Sequence, residues 1–371
     1  MKELLISLGY SEEDYELFKN NYALSNYKEE TLKEKIIKNY EFLVSVGYTK
    51  EEVIKITKSL PPIYSYSIEK IKQKIEDIIA LGYTKEEVIK MTKSLPQIYG
   101  YSKENMKQKI EDMIALGYTE EEVIKMTKSF TSIYGYSKES IKQKIEDMIA
   151  LGYNKDEAIK MTKSFPSIYG YSKESIKQKI EDIIALGYTE EEVIKMTKSF
   201  TSIYGYSKEN MKQKIEDMIA LGYTEEEVIK MTKSFTSIYS LSKKNIKQKI
   251  EDMIALGYTK EEVIKMTKSL PTIYGLSIEN MKQKIDFYDS IGLHELLVVD
   301  AKQLMQSTVL SYARYMFYKD KGITIDMNNY RKLFINNKSF EKAYGITKEE
   351  LLKKYDYNKY IEKKEFGGLK W

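Results

Sequence analysis

Apolar residues recur along this chain at helical spacing, in two short blocks that alternate. In the segment from Gly82 to Gly117, Val88, Met91, Thr92 and Leu95 fall at i, i+3, i+4 and i+7. That spacing predicts a short amphipathic helix, with Lys90 and Lys93 on its opposite face. Thr84 followed by Glu87 is a capping box that starts this helix. Pro96 ends it. The segment QIYGY then reads as a tight connector. Ser102 caps a second helix, in which Met106, Ile110, Met113 and Ile114 form the expected buried stripe. Gly117 supplies the left-handed residue that stops it.

This helix, connector and helix repeat with a fixed period. Glycines stand at Gly47, Gly82, Gly117, Gly152, Gly187, Gly222, Gly257 and Gly292, every 35 residues. A period of this size predicts an all-α fold, an α-solenoid in which each unit buries its apolar face on its neighbours. The expected organisation is one continuous elongated domain. An N-terminal capping repeat occupies 1–46, seven near-identical repeats occupy 47–292, and a basic helical cap with a frayed tail occupies 293–371. The N-terminal fragment SLGYSEEDYELF lies 38 residues before the regular series, and the period fails after Gly292.

Composition narrows the function. No apolar run approaches a membrane span, so no membrane partner is expected. With no cysteine there is neither a disulfide nor a thiolate metal site. The start is too acidic for a transit peptide and lacks a secretory apolar core. Heavy use of Lys, Ile, Tyr and Asn suggests a bacterial cytoplasmic protein, and a monomer is expected. The net charge of +4 is unevenly spread: residues 300–371 carry 15 Lys plus Arg against 9 Asp plus Glu, leaving about −2 for the preceding 299 residues.

No catalytic constellation, metal site or cofactor motif stands out. His294 is the sole histidine, with no partner at metal-ligand spacing. No Gly-rich phosphate loop is present. Carboxylates that recur in every repeat read as structural, whereas an active site would occur once. The chain is therefore expected to be a binding protein and not an enzyme.

LPQIYGYSKENMKQKIEDMIALGYTEEEVIKM combines a helix-ending proline, I-x-x-Y, a K-x-K-I-E helix and L-G-Y-T-x-E-E-V. It resembles the mitochondrial transcription termination factor (mTERF) repeat. SYARYMFYKDKGI and the KSFEKAYG segment are similar to that family's C-terminal region. The resemblance implies a curved superhelix that holds double-stranded nucleic acid through positive side chains on its backbone. The family proline is kept at Pro61, Pro96, Pro166 and Pro271 but is replaced by Thr131, Thr201 and Thr236. The units also bear a more distant likeness to TAL-effector repeats, without their base-reading loop.

Candidate contacts follow. Lys58, Lys93, Lys128, Lys163, Lys198, Lys233 and Lys268 form one equivalent row. Lys55, Lys90, Lys125, Lys160, Lys195, Lys230 and Lys265 form another. Rows of like charge suit a phosphate backbone; they also suit helix C-termini and nearby carboxylates. Arg314, Lys319, Lys321, Arg331 and Lys332 add a basic C-terminal group.

Two columns vary between repeats and are candidates for base readout. One holds Pro62, Gln97, Ser132, Ser167, Ser202, Ser237 and Thr272; the other holds Lys70, Asn105, Ser140, Ser175, Asn210, Asn245 and Asn280. Both columns also sit where exposed or near-cap Ser and Asn are favoured anyway. Tyr99, Tyr101 and Tyr118 are expected to pack between repeats and not to stack on bases. The expected partner is double-stranded DNA. Structured RNA and a protein or peptide partner are the alternatives.

Overall fold

A computed structural model of the chain describes residues 1–359, and these are all-α, an α-helical repeat solenoid with no strand among them. The chain divides into two compact units, 1–181 and 182 onward. The tail expected to fray lies outside the described residues from 360 on.

Each repeat follows the plan read from the sequence. In the second repeat the first helix is Lys85–Ser94, the connector is the 3-10 turn Pro96–Gly100, and the second helix is Lys103–Leu116. Thr84 and Glu87 close the capping box reciprocally, and Ser102 accepts from the Asn105 backbone N–H. Val88, Met91, Met106, Ile110 and Met113 are all buried. Ile114 is not: 41% of it is exposed, as are similar fractions of Ile79, Ile149, Ile184, Ile219 and Ile254. It follows Met113 directly, and one step of about 100° on the helix carries it off the buried face.

Threonine replaces the family proline without changing the backbone. Leu95 before Pro96 has φ −137° and ψ 79°, and Phe130 before Thr131 has φ −139° and ψ 76°. The buried Thr131 hydroxyl donates to the Thr127 carbonyl at 3.1 Å. The residue before the connector thus keeps the same φ and ψ, outside the α region, whether proline or threonine follows.

The repeats interlock through buried hydroxyls. Tyr118, after the glycine of one repeat, reaches Thr162 Oγ1 at 2.6 Å and the Tyr169 hydroxyl at 2.8 Å in the next. In the first unit the same trio recurs at Tyr48, Thr92 and Tyr99 and at Tyr83, Thr127 and Tyr134. In the second unit it recurs at Tyr188, Thr232 and Tyr239 and at Tyr223, Thr267 and Tyr274. Proton order Tyr99 to Tyr48 to Thr92 to the Val88 carbonyl leaves no hydroxyl of such a trio unsatisfied.

Both ends adapt this plan. At the N-terminus Tyr10 takes the tyrosine role with Thr57 and Tyr64, despite the irregular spacing. Beyond Gly292 the sequence period stops, but the structural plan continues in shortened form. A single helical turn, Leu296–Val299, leads to the connector Ala301–Met305 and the helix Thr308–Asp320. Asp300, before that connector, keeps the same backbone angles, φ −140° and ψ 73°. The first helix is cut short, which breaks the 35-residue register and hides the repeat.

Candidate nucleic-acid interface

The two lysine rows lie on the same short helices but meet different surroundings. The row containing Lys93 is occupied. In the first unit Lys93 pairs with Glu52 at 2.7 Å, Lys128 with Glu87 at 2.9 Å and Lys163 with Glu122 at 2.8 Å. In the second unit Lys233 pairs with Glu192 at 2.8 Å and Lys268 with Glu227 at 2.7 Å. Lys198 is likewise engaged. Lys58 opens the series on Asp14 at 2.6 Å. Each of these carboxylates lies in the preceding repeat or the N-terminal cap, so this row ties repeats together.

The glutamates have two roles that the sequence reading did not join. Glu122 Oε2 accepts from the Thr119 backbone N–H, closing the capping box, while its Oε1 accepts from Lys163. The lysine ammonium holds the Glu52, Glu122, Glu192 and Glu227 carboxyls below their ordinary value. For Glu87 the Thr84 backbone N–H leads and Lys128 adds to it. A 41-residue offset between Lys and a capping-box Glu was the available signal.

The other row is free. Lys55, Lys90, Lys125 and Lys160 in the first unit, and Lys195, Lys230 and Lys265 in the second, are exposed. None of them makes a hydrogen bond or ion pair among the described residues. Lys90 lies two residues beyond the buried Val88, about 200° around the helix, and so points away from the core.

The C-terminal basics divide. Arg314 is buried, not available to a phosphate. Its Nη1 donates to the Leu333 carbonyl at 2.9 Å, its Nη2 to Asn337 Oδ1 at 2.8 Å, and the guanidinium lies 5.1 Å from the Phe340 ring centre. It fastens the cap, because a planar fork of donors suits carbonyl groups on two neighbouring segments. Lys319, Lys321, Arg331 and Lys332 are exposed. Lys321 lies near the Phe317 ring and Lys332 near the adjacent Tyr318 ring, so the end of the helix Thr308–Asp320 and the turn Tyr330–Phe334 present their cations together. Lys319 has a partner of its own.

The variable columns sit on other elements than the free lysine row. Gln97 lies on the connector, and its amide reaches Ser59 Oγ of the preceding repeat at 3.3 Å. Ser132, Ser167, Ser202, Ser237 and Thr272 are half-buried at the same place. Asn105, Asn210, Asn245 and Asn280 lie exposed in the first turn of the second helices. Ser140 and Ser175 turn back to Ser137 and Ser172, at 2.9 and 3.1 Å. Tyr99 and Tyr118 are buried in the hydroxyl trios and Tyr101 is half-buried, so they pack as expected.

No group of three or more metal-ligating side chains occurs among the described residues, and no described helix is long and apolar enough to cross a membrane. His294 stacks on Tyr258 at 4.6 Å between ring centres and contacts Asp289 through Nδ1 at 2.7 Å. It thus serves the packing of the shortened repeat.

Comparison with curated proteins gives no match. The mTERF family model matches residues 2–150, 113–220 and 207–296 in three overlapping stretches. With the repeat plan and the connector prolines already in place, the chain belongs to the mTERF family.

Proposed function

We propose that this protein is a non-enzymatic binder of duplex nucleic acid, with double-stranded DNA as its first target and a transcription-related role. The mTERF family is generally nucleic-acid-binding. The observation that carries the finer reading is the free row. Lys55, Lys90, Lys125 and Lys160, with Lys195, Lys230 and Lys265, form a repeating row that the fold leaves with neither a hydrogen-bond nor an ion-pair partner among the described residues. A row of equivalent unpaired ammonium groups repels itself, and a phosphate backbone relieves that repulsion while releasing counterions. Lys321, Arg331 and Lys332 extend the positive surface in the C-terminal cap. The Lys93 row takes no part, since binding phosphate there would first break an ion pair.

In this reading affinity comes from the backbone, and neither variable column supplies base contacts from the helix face that carries the lysines. Fluorescence anisotropy with labelled duplex DNA, duplex RNA and single strands, from low to physiological salt, tests it. Duplex binding with log K falling by several units per unit of log salt is expected. Absence of duplex binding at low salt overturns the proposal.

A further inference from the structure

The shortened repeat after Gly292 changes the chemistry of one helix face. In the regular repeats the second helix carries an ion pair across one turn of its outer face. Lys107 meets Glu111 at 3.6 Å and Lys142 meets Glu146 at 3.3 Å in the first unit. Lys212 meets Glu216 at 3.8 Å and Lys247 meets Glu251 at 3.3 Å in the second. Counted from the capping serines Ser242, Ser277 and Ser307, the last regular repeat keeps Lys282 and Asp286 at these positions, but the shortened repeat has Tyr312 and Met316. The preceding helix changes in step. Phe287 stands where Asp217 and Asp252 stand in the two repeats before it. Those aspartates accept from Gln213 and Gln248, whereas Phe287 is buried.

These exchanges build a cavity of about 110 Å³ on the helices Ile278–Ser290 and Thr308–Asp320, walled by Phe287, Ile291, Tyr312, Tyr315 and Met316. Tyr312 and Tyr315 stand edge-on to Phe287, with ring centres 6.2 and 6.4 Å apart. Where other repeats offer water an ion pair, this one offers aromatic and thioether surface, which gains from being covered.

The last described residues lie against this wall. Tyr357 is buried, edge-on to Tyr312 with ring centres 5.4 Å apart. Asp356 Oδ1 accepts from the Asn358 backbone N–H at 2.9 Å, and residues 357–359 are helical, so a helix starts here. The sequence continues YIEKKEF before Gly367 and Gly368. Tyr360 and Ile361 follow Tyr357 at i+3 and i+4, the spacing of one helix face, while Glu362 and Lys363 fall on the other.

We infer that residues 360–366 are a strap that continues the Tyr357 turn over this cavity and sets Tyr360 and Ile361 on Tyr312 and Met316. The occupant is this chain's own segment because its anchor is already in place. One helical turn advances about 5.4 Å, so Ile361 needs no intervening loop to reach the cavity that Tyr357 adjoins. A partner from solution would have to pass Tyr357 first. The segment is then part of the cap's core, not the frayed tail that its position suggests.

Hydrogen exchange of the full chain, read by mass spectrometry, tests this. Peptides covering 360–366 should exchange about tenfold or more slowly than an unstructured chain. Tyr312→Lys/Met316→Glu restores the pair that the regular repeats carry and should return the segment to the unstructured rate. Protection of the helix Lys260–Ser269 should not change. Ile361→Asp alters the segment alone and should act in the same way, so it decides the matter if the double variant loses the cap. Exchange at the unstructured rate in wild type overturns the inference, as does protection that survives Ile361→Asp. So does a concentration-dependent dimer in sedimentation that Tyr312→Lys/Met316→Glu dissolves and Ile361→Asp leaves intact, because the cavity would then belong to a second copy.

Discussion

Lys163 Nζ stands 2.8 Å from Glu122 Oε1, in the preceding repeat, while the other oxygen of that carboxylate caps its own helix. One side chain therefore fixes a helix start and the contact with the next repeat. Protonation removes both at once. The ordinary glutamate value is 4.5, and the folded value of Glu52, Glu122, Glu192 and Glu227 lies below it. Their stabilisation is complete above the unfolded value and is lost as pH falls through the folded one. The melting temperature should hold from pH 7 to about 5 and drop below the ordinary value of 4.5. Glu52→Gln/Glu122→Gln should melt lower at pH 7 and show a shallower acid drop. Parallel pH profiles of wild type and variant would sink the linkage.

The hydroxyl trios give the opposite limb. Burial pushes the Tyr48, Tyr83, Tyr118, Tyr188 and Tyr223 phenols above the ordinary value of 10, and Tyr10 to about 12. The fold keeps them protonated, so its stability is full below the unfolded value and declines as pH rises past it. Tyrosinate absorbance at 295 nm should rise in two phases, exposed phenols first and trio phenols only with loss of helix. Thr127→Val removes the acceptor for Tyr83 and should cost about 1–3 kcal/mol. A single titration phase, or an unchanged denaturation midpoint in that variant, would show that the trio does not matter.

Gly222 joins two requirements in one residue. Its φ is +114°, and an added Cβ would come within 2.9 Å of Ile264 Cδ1 in the next repeat. Gly222→Ala should cost about 1–2 kcal/mol from backbone strain alone, and more from the contact. Adding Ile264→Val should recover only the contact part. A double-mutant cycle in urea gives the coupling; additive effects would mean that Ile264 yields freely.

Much of this was legible because the same residues recur in step. A period, a capping box and a glycine give local structure directly, and Val88, Met91 and Met113 fall where helical spacing puts them. Pairings between repeats were not legible from one unit. Lys93 and Lys90 differ only by position on a helix, yet one meets Glu52 and the other meets solvent. Arg314 shows the same limit: its basic neighbourhood suggested a phosphate, and the fold places it beneath the cap. The shortened repeat after Gly292 escaped because a truncated first helix destroys the register while the connector geometry survives.

Arg314 separates structural from binding charge in the C-terminal cap. Its removal leaves the Leu333 carbonyl and Asn337 side chain without their donor. Arg314→Ala should destabilise the cap by about 2–3 kcal/mol, the scale of lost hydrogen bonds to a charged group. It should leave the salt slope of duplex binding unchanged below the new melting temperature. Arg331→Ala/Lys332→Ala should do the reverse. A reduced salt slope in Arg314→Ala would restore that arginine to the interface.

The contrast between the lysine rows tests the interface most directly, because the variants match in charge, element and number. Lys90→Gln/Lys125→Gln/Lys160→Gln removes three unpaired cations. At about 0.9 counterion per phosphate contact, the magnitude of the log K against log salt slope should fall by about two to three units. Stability should change little, since no partner is lost. Lys93→Gln/Lys128→Gln/Lys163→Gln removes three cations that already face Glu52, Glu87 and Glu122. That set should lower the melting temperature. It should also weaken duplex binding, because three glutamates become unpaired, but with a smaller change in slope. If both sets alter the slope equally, the helix face acts as a diffuse charge and the free row has no special place. If only the Lys93 set alters it, phosphate displaces the inter-repeat ion pairs and the proposed interface is wrong.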